Sequence, residues 1–114
     1  MSKVYITNDG GHNYDAAKCY GDLVYMSHGM LEKFQTTKML RLFFGCLKDS
    51  KPDDYILVSG PMVANICAAF VFACLHKRIN LLLWKGSSEG QSRYLARSLD
   101  LRAMMKENGG TEDD

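Results

Sequence analysis

Residues 55–84, YILVSGPMVANICAAFVFACLHKRINLLLW, read as strand, helix and strand in that order. Tyr55–Val58 is aromatic and branched, which suits a pleated, half-buried surface. Ser59-Gly60-Pro61 then turns the chain, and proline fits the first turn of a helix because the missing N–H would be unpaired there anyway. Met62–His76 is apolar almost all round, the pattern of a central helix that is almost wholly buried. Lys77-Arg78 place positive charge at its carboxyl end, where the helix dipole favours it. Ile79–Trp84 is a nearly unbroken apolar run, as in a strand covered on both faces. A unit of this kind joins two parallel strands through a right-handed crossover.

The same rhythm extends upstream. Val4–Thr7 reads as the first strand and Leu23–Met26 as the second. Between them Asn13 or Asp15 caps a short helix running to Tyr20, with Gly21 as its left-handed terminator. Met30–Gln35 has helical spacing at Met30, Leu31 and Phe34 but is too short to assign. Thr36 or Thr37 opens a helix whose stripe is Met39, Leu40, Leu42, Phe43, Phe44, Cys46 and Leu47. Pro52 stops it, and Asp53-Asp54 read as solvated turn residues.

Downstream, Lys85–Ser92 is a Gly/Ser turn. Arg93–Leu99 returns as an antiparallel edge strand, with Arg93 and Arg97 guarding the edge against further pairing. Residues 1–101 form a single domain and residues 102–114 a polar, disordered tail. The fold class is α/β: a small Rossmann-like layered fold with a mostly parallel four-stranded sheet plus a C-terminal edge strand.

With 114 residues there is length for one core. Apolar residues at 46% and charged residues at 24% place the chain among globular proteins. A net charge of +1, with basic and acidic residues interspersed, argues against a duplex nucleic acid as partner. The apolar run Met62–Leu75 is about fourteen residues, short of the ~20 that span a bilayer, so no membrane partner is expected. The first residues are strand-like and carry no leader pattern. Cys19, Cys46, Cys67 and Cys74 show no metal-ligand spacing and read as free thiols in a reducing compartment. Cys67 and Cys74 fall on one helix face, as small core hydrophobes.

Each strand ends in a short polar turn, and parallel strands bring all of these turns to one sheet edge. They are Asn8-Asp9-Gly10-Gly11-His12, Ser27-His28-Gly29, Ser59-Gly60-Pro61 and Lys85-Gly86-Ser87-Ser88. Ligands of open α/β sheets bind at that edge. Gly10 and Gly11 resemble half of a phosphate cradle, yet Asp9 would repel a phosphate. Asn8, Asp9 and Asn13 suit a sugar hydroxyl or a base edge better. His12 and His28 end neighbouring turns and could meet as acid, base or ligand, but a bare pair makes no metal site. His76 reads as a partner of the helix dipole. Ser59 lies between strand and helix without the GxSxG of a hydrolase elbow. Asn65, one turn into an apolar helix, must find a polar partner at a strand end or in a ligand. Tyr94 and Trp84 could stack on a base, although Trp84 in an apolar strand reads as core. The expected ligand-binding set is Asn8, Asp9, Gly10, Gly11, His12, Ser27, His28, Ser59, Gly60 and Asn65. No catalytic residue, metal or cofactor is expected.

Val4–Tyr14 (VYITNDGGHNY), with Gly21–Gly29 and Asp53–Gly60 (DDYILVSG), resembles small α/β proteins encoded by bacteriophages, over Met1 to Trp84. That group carries no assigned activity. The resemblance implies a viral origin and a role in the cytoplasm of the infected cell or in the particle, and it transfers no site residue. The leading expectation is a non-enzymatic protein that binds a small polar, nucleotide-derived molecule at the strand-end turns. The alternative is a module that binds a host or viral protein, using a sheet face or Met30–Phe34. The third is a nucleoside-type glycosyl hydrolase or transferase using Asp9 with His12 or His28. The apolar content also predicts a homo-oligomer.

Overall fold

The computed structural model describes residues 1–86, 90 and 92–108. Five strands, β1 (Lys3–Ile6), β2 (Asp22–Tyr25), β3 (Tyr55–Leu57), β4 (Arg78–Lys85) and β5 (Arg93–Asp100), lie in the order β2-β1-β3-β4-β5. The first four are mutually parallel, and β5 runs antiparallel along β4 from Arg78 opposite Asp100 to Lys85 opposite Arg93. Helix α1 (Thr36–Leu47) joins β2 to β3, and α2 (Met62–His76) joins β3 to β4. The β1–β2 connection holds only a 3₁₀ turn, Asp15–Ala17. The protein is thus a mixed α/β structure with a mostly parallel sheet and one antiparallel pair at its edge.

The chain steps one way from β1 to β2 and the opposite way from β2 to β3 and β4. Crossovers of a single hand then put the 3₁₀ turn on one face of the sheet and both helices on the other. The core divides accordingly. Tyr5 and Ile56 meet Met39, Phe43 and Leu47 of α1 and Ala68, Val71 and Phe72 of α2. Val4, Ile6, Leu57 and Leu82 point the other way, where Tyr14, Ala17 and Tyr94 cover them. With no helix on it among the described residues, that second face is sealed by rings. Tyr20 meets Tyr55 edge-on at 5.4 Å, and Trp84 meets Tyr94 at 4.9 Å. The Tyr20 hydroxyl donates to the Tyr94 carbonyl at 2.8 Å.

Several sequence expectations change here. Helix α2 is not wholly buried: its inner face packs on sheet and α1, while Met62, Ile66 and Phe70 are exposed because no further layer among the described residues lies above it. Cys67 is buried but Cys74 is exposed, so only one of that pair is a core hydrophobe. Strand β4 pairs with β3 only at Leu81 and Leu82, and its outer end overhangs the sheet body. Trp84 is therefore exposed rather than core. Asp54 is not a solvated turn residue: at 3% exposure its carboxylate accepts the N–H of Lys3 at 2.9 Å and of Lys51 at 2.8 Å. Beside it, Asn80 donates to the carbonyls of Pro52 and Asp54 and accepts from Arg78 and Ser98. This network ties four of the five strands together at the edge opposite the polar turns.

Gly21 does not adopt left-handed geometry. It is needed for closeness instead, because a Cβ there would lie 2.1 Å from the Ser2 carbonyl oxygen. Residues 102–108, expected in the tail, belong to helix α3 (Leu101–Asn108), which follows β5 without a break. Asp100 caps it by accepting the N–H of Arg102 and Ala103. The remainder of that tail, and Ser87-Ser88 of the fourth turn, lie outside the described residues.

Replacing Gly21 by Ala should destabilise the protein by about 1–3 kcal/mol, the scale of an overpacked backbone contact. Urea unfolding measures this, and an unchanged midpoint would show that the start of β1 yields freely. A second expectation concerns alkali. Burial pushes the phenols of Tyr5, Tyr25 and Tyr94 above their ordinary value, with the charge of Asp54 adding to the effect at Tyr5. The folded state holds their protons more tightly than the unfolded chain does. The stability they contribute is present below the unfolded value of about 10 and is lost as pH rises through the folded values. Ultraviolet titration should show late-ionising tyrosines and unfolding that sets in above that pH. Simultaneous ionisation of every tyrosine in the folded protein would contradict it.

Candidate functional site

Because β1, β2 and β3 are parallel, their carboxyl ends share one edge, and the turns that follow them interlock. Pairing of β1 with β2 continues beyond both strands. The Asp9 N–H donates to the Ser27 carbonyl at 2.8 Å, and the Gly29 N–H donates to the Asp9 carbonyl at 3.3 Å. The Asn8 amide donates to the Gly29 carbonyl at 2.5 Å. The Ser27 hydroxyl lies 2.6 Å from the Thr7 carbonyl and 2.8 Å from Asn8 Oδ1, and its one proton serves either acceptor. Gly11 and Gly29 have φ of +93° and +81°, the left-handed geometry that favours glycine.

The β3 turn forms a second knot. Asn65 donates through Nδ2 to the carbonyls of Ser59 at 3.0 Å and Pro61 at 3.1 Å, and its Oδ1 accepts the Ser59 N–H at 3.3 Å. The partner that the sequence demanded for Asn65 is thus the end of β3. The Ser59 hydroxyl pairs with that of the buried Tyr14 at 2.9 Å, and Thr7 reaches the Ser59 carbonyl at 3.5 Å. These two bonds lock the β3 turn to the chain leaving β1. Gly60, at φ +79°, sits exposed at the crest of this turn.

His12 and His28 do not meet. They stand at opposite ends of a row of rings, His12–Tyr14–Tyr25–His28, in which each neighbouring pair of centroids is 6.2 Å apart. His28 Nδ1 lies 3.6 Å from Asp9 Oδ2, an ion pair when the imidazole is protonated. Both groups are substantially exposed, so the pair adds little stability. Asp9 Oδ1 also accepts the Gly11 N–H at 3.4 Å. Desolvation first, and then the Asp9 charge, hold the Tyr25 phenol above its usual range. Of the expected set, Asn8, Ser27, Ser59 and Asn65 spend their polar atoms on one another, on the Tyr14 hydroxyl and on the backbone. Asp9, His12 and His28 still face solvent, beside the exposed Gly10 and Gly11.

Neither serine hydroxyl is hydrogen-bonded to a histidine among the described residues, the contact that would activate a nucleophile. No group of three or more His, Cys, Asp or Glu suited to a metal ion occurs among them either. His76 pairs with the Ser50 hydroxyl at 2.8 Å and packs on Phe72, away from this edge. Arg93 and Arg97 lie on β5 and are exposed, as an edge strand requires. Tyr14 and Tyr25 escaped the sequence-based set. Their signal was an aromatic residue within a few positions of each polar turn. Immediately beyond His28, a depression of about 220 Å³ is lined by Ser27, His28, Met30, Leu31, Gln35 and Lys38. There the edge changes from polar to apolar.

A small mixed α/β domain with knitted strand-end turns, and no helix among its described residues long and apolar enough to cross a membrane, is the class of protein so defined. The model of the phage Pam3 gp32-like protein family matches residues 2–100, and the chain belongs to that family. It is a small bacteriophage-encoded protein. No curated protein and no solved structure matches it.

Replacing Asn65 by Ala leaves the Ser59 N–H without its side-chain partner and the Ser59 carbonyl with the long Thr7 contact alone. The expected loss is about 1–3 kcal/mol, the desolvation penalty of unsatisfied polar groups. Thermal melting measures it, and amide exchange at Ser59 should accelerate. An unaltered melt with unaltered exchange would mean that the turn holds without the clamp.

Proposed function

We propose that this protein is an interaction module that acts in the cytoplasm of the infected cell and grips a host or viral protein with its Met30–Phe34 loop. The observation that carries this reading is the exposure of Met30 at 95% and Phe34 at 90%. Two large apolar side chains this open are costly in water unless something covers them. The loop is not a loose tether. Leu31 packs against the helix-side core, and Gln35 donates to Glu32 through both its backbone N–H and its side-chain amide, each at 3.0 Å. Methionine adapts its shape to a partner, and an aromatic ring supplies a large anchor. His28, which lines the same depression as Met30, and its ion-pair neighbour Asp9 supply the polar rim that surrounds such anchors in protein interfaces.

A second reading keeps a small polar, nucleotide-derived ligand at the turns. It is favoured by the reversal of strand order between β1 and β3, which in a Rossmann-like reading of the fold marks the ligand crevice. The Tyr14–Ser59 hydroxyl pair spans that gap.

A photo-crosslinking amino acid at position 34, introduced during infection, should capture one defined protein. Met30→Ser with Phe34→Ser should weaken that complex at least tenfold per residue, as truncation of an anchor does. The melting temperature should not change, since both side chains are exposed. Undiminished binding by the double variant would overturn the reading. A small molecule that co-purifies with the protein and is lost on Asp9→Ala would favour the second.

A further inference from the structure

We infer that α2 is the interface of a homodimer, the outer face of one copy packing on the same face of a second. The proposal is independent of the Met30–Phe34 loop, which lies on a different element. Helix α2 carries no Asp, Glu, Lys or Arg from Met62 to His76. A helix that is apolar all round belongs in an interior, yet the described residues cover only its inner face. Outside, Met62 is 78% exposed, and Ile66 and Phe70 are each 59% exposed.

These three residues recur at i, i+4 and i+8, so they form one ridge along the helix. Ala69 and Ala73, partly buried, lie beside it as a groove. Ridges of this i±4 kind pack into one another's grooves at a crossing angle of about −50°. A second copy offers the same ridge and the same groove, so a two-fold axis satisfies both faces at once. With no charge on the helix, a copy meets no like-charge repulsion, and nothing there selects a partner of opposite charge. The ridge supplies the apolar centre of such an interface, not the whole of it. A large apolar side chain presents on the order of 200 Å², so the ridge residues together offer roughly 400 Å². That is about half of the ~800 Å² per partner that a stable interface buries. Phe44 of the adjacent α1, itself exposed, extends the surface further.

Sedimentation equilibrium at tens of micromolar should give twice the chain mass of 12.8 kDa. Ile66→Glu with Phe70→Glu should return the mass to that of one chain, with an unchanged far-ultraviolet spectrum, because both positions face outward in the single chain. Met30→Ser with Phe34→Ser should leave the dimer intact, which separates this proposal from the loop reading. A cross-link serves if the charged variant does not fold. Ile66→Cys, in a background with Cys19→Ser and Cys74→Ser, should form a covalent dimer on mild oxidation, since the middle of the ridge lies near the two-fold axis. A single-chain mass for the natural protein would overturn the inference. So would a dimer that survives the two glutamates, or a monomer whose α2 face binds phosphatidylcholine vesicles instead.

Discussion

Strand β1 has a parallel neighbour on each side, and the chain leaves it in one direction only to return past it in the other. That reversal, combined with the single hand of crossovers, governs the distribution of mass in the molecule. Both long helices fall on one face of the sheet. The other face receives one 3₁₀ turn, too little to seal it. The residues of β1 answer by being buried on both sides: Val4 and Ile6 toward the thin face, Tyr5 toward the helices.

Two consequences follow from having only these layers. On the thin face, hydrophobic cover comes from side chains rather than from a helix, and five of the six tyrosines gather there. The hydroxyls of Tyr14 and Tyr20 reach the Ser59 hydroxyl and the Tyr94 carbonyl, which lets those rings be buried without stranding a polar group. On the helix face the problem is reversed. Helix α2 has the composition of a three-layer interior but sits as the outermost layer, and its outer ridge stays in water. Polar networks stitch the sheet at both edges, through Asp54 and Asn80 at one and through Asn8, Ser27 and Asn65 at the other.

Those networks also limit the chemistry of the strand-end turns. A residue that caps a turn or clamps a loop has little hydrogen-bonding capacity left for a ligand. Asn65 serves Ser59 with both ends of its amide, and Asn8 serves Gly29 and Ser27 in the same way. What remains outward is a carboxylate, two imidazoles and, beyond the His28 end, two large apolar side chains. This combination suits the rim and anchors of a protein contact better than the enclosed, convergent polar groups of a small-molecule pocket.

Local sequence determined a good deal. The starts of β1 to β4, the span of α1 and α2, the parallel direction of the first four strands and the returning edge strand are all legible, because periodicity, turn residues and Pro61 act over a few positions, whereas the order of the strands in the sheet is not. The gathering of the polar turns on one edge followed from parallel strands alone. Burial did not follow, because it depends on what lies above a residue rather than on the residue itself. Apolar composition could not say that no described residue covers the outer face of α2, or that Trp84 overhangs a three-residue partner strand. Two adjacent aspartates look alike in sequence, yet only Asp54 lies where the N–H groups of Lys3 and Lys51 converge. Gly21 looked like a helix terminator, and only the passage of Ser2 beside it showed a need for closeness instead. Local chemistry chose the elements, whereas long-range packing decided which of their faces meet water, since that choice belongs to segments far apart in the chain.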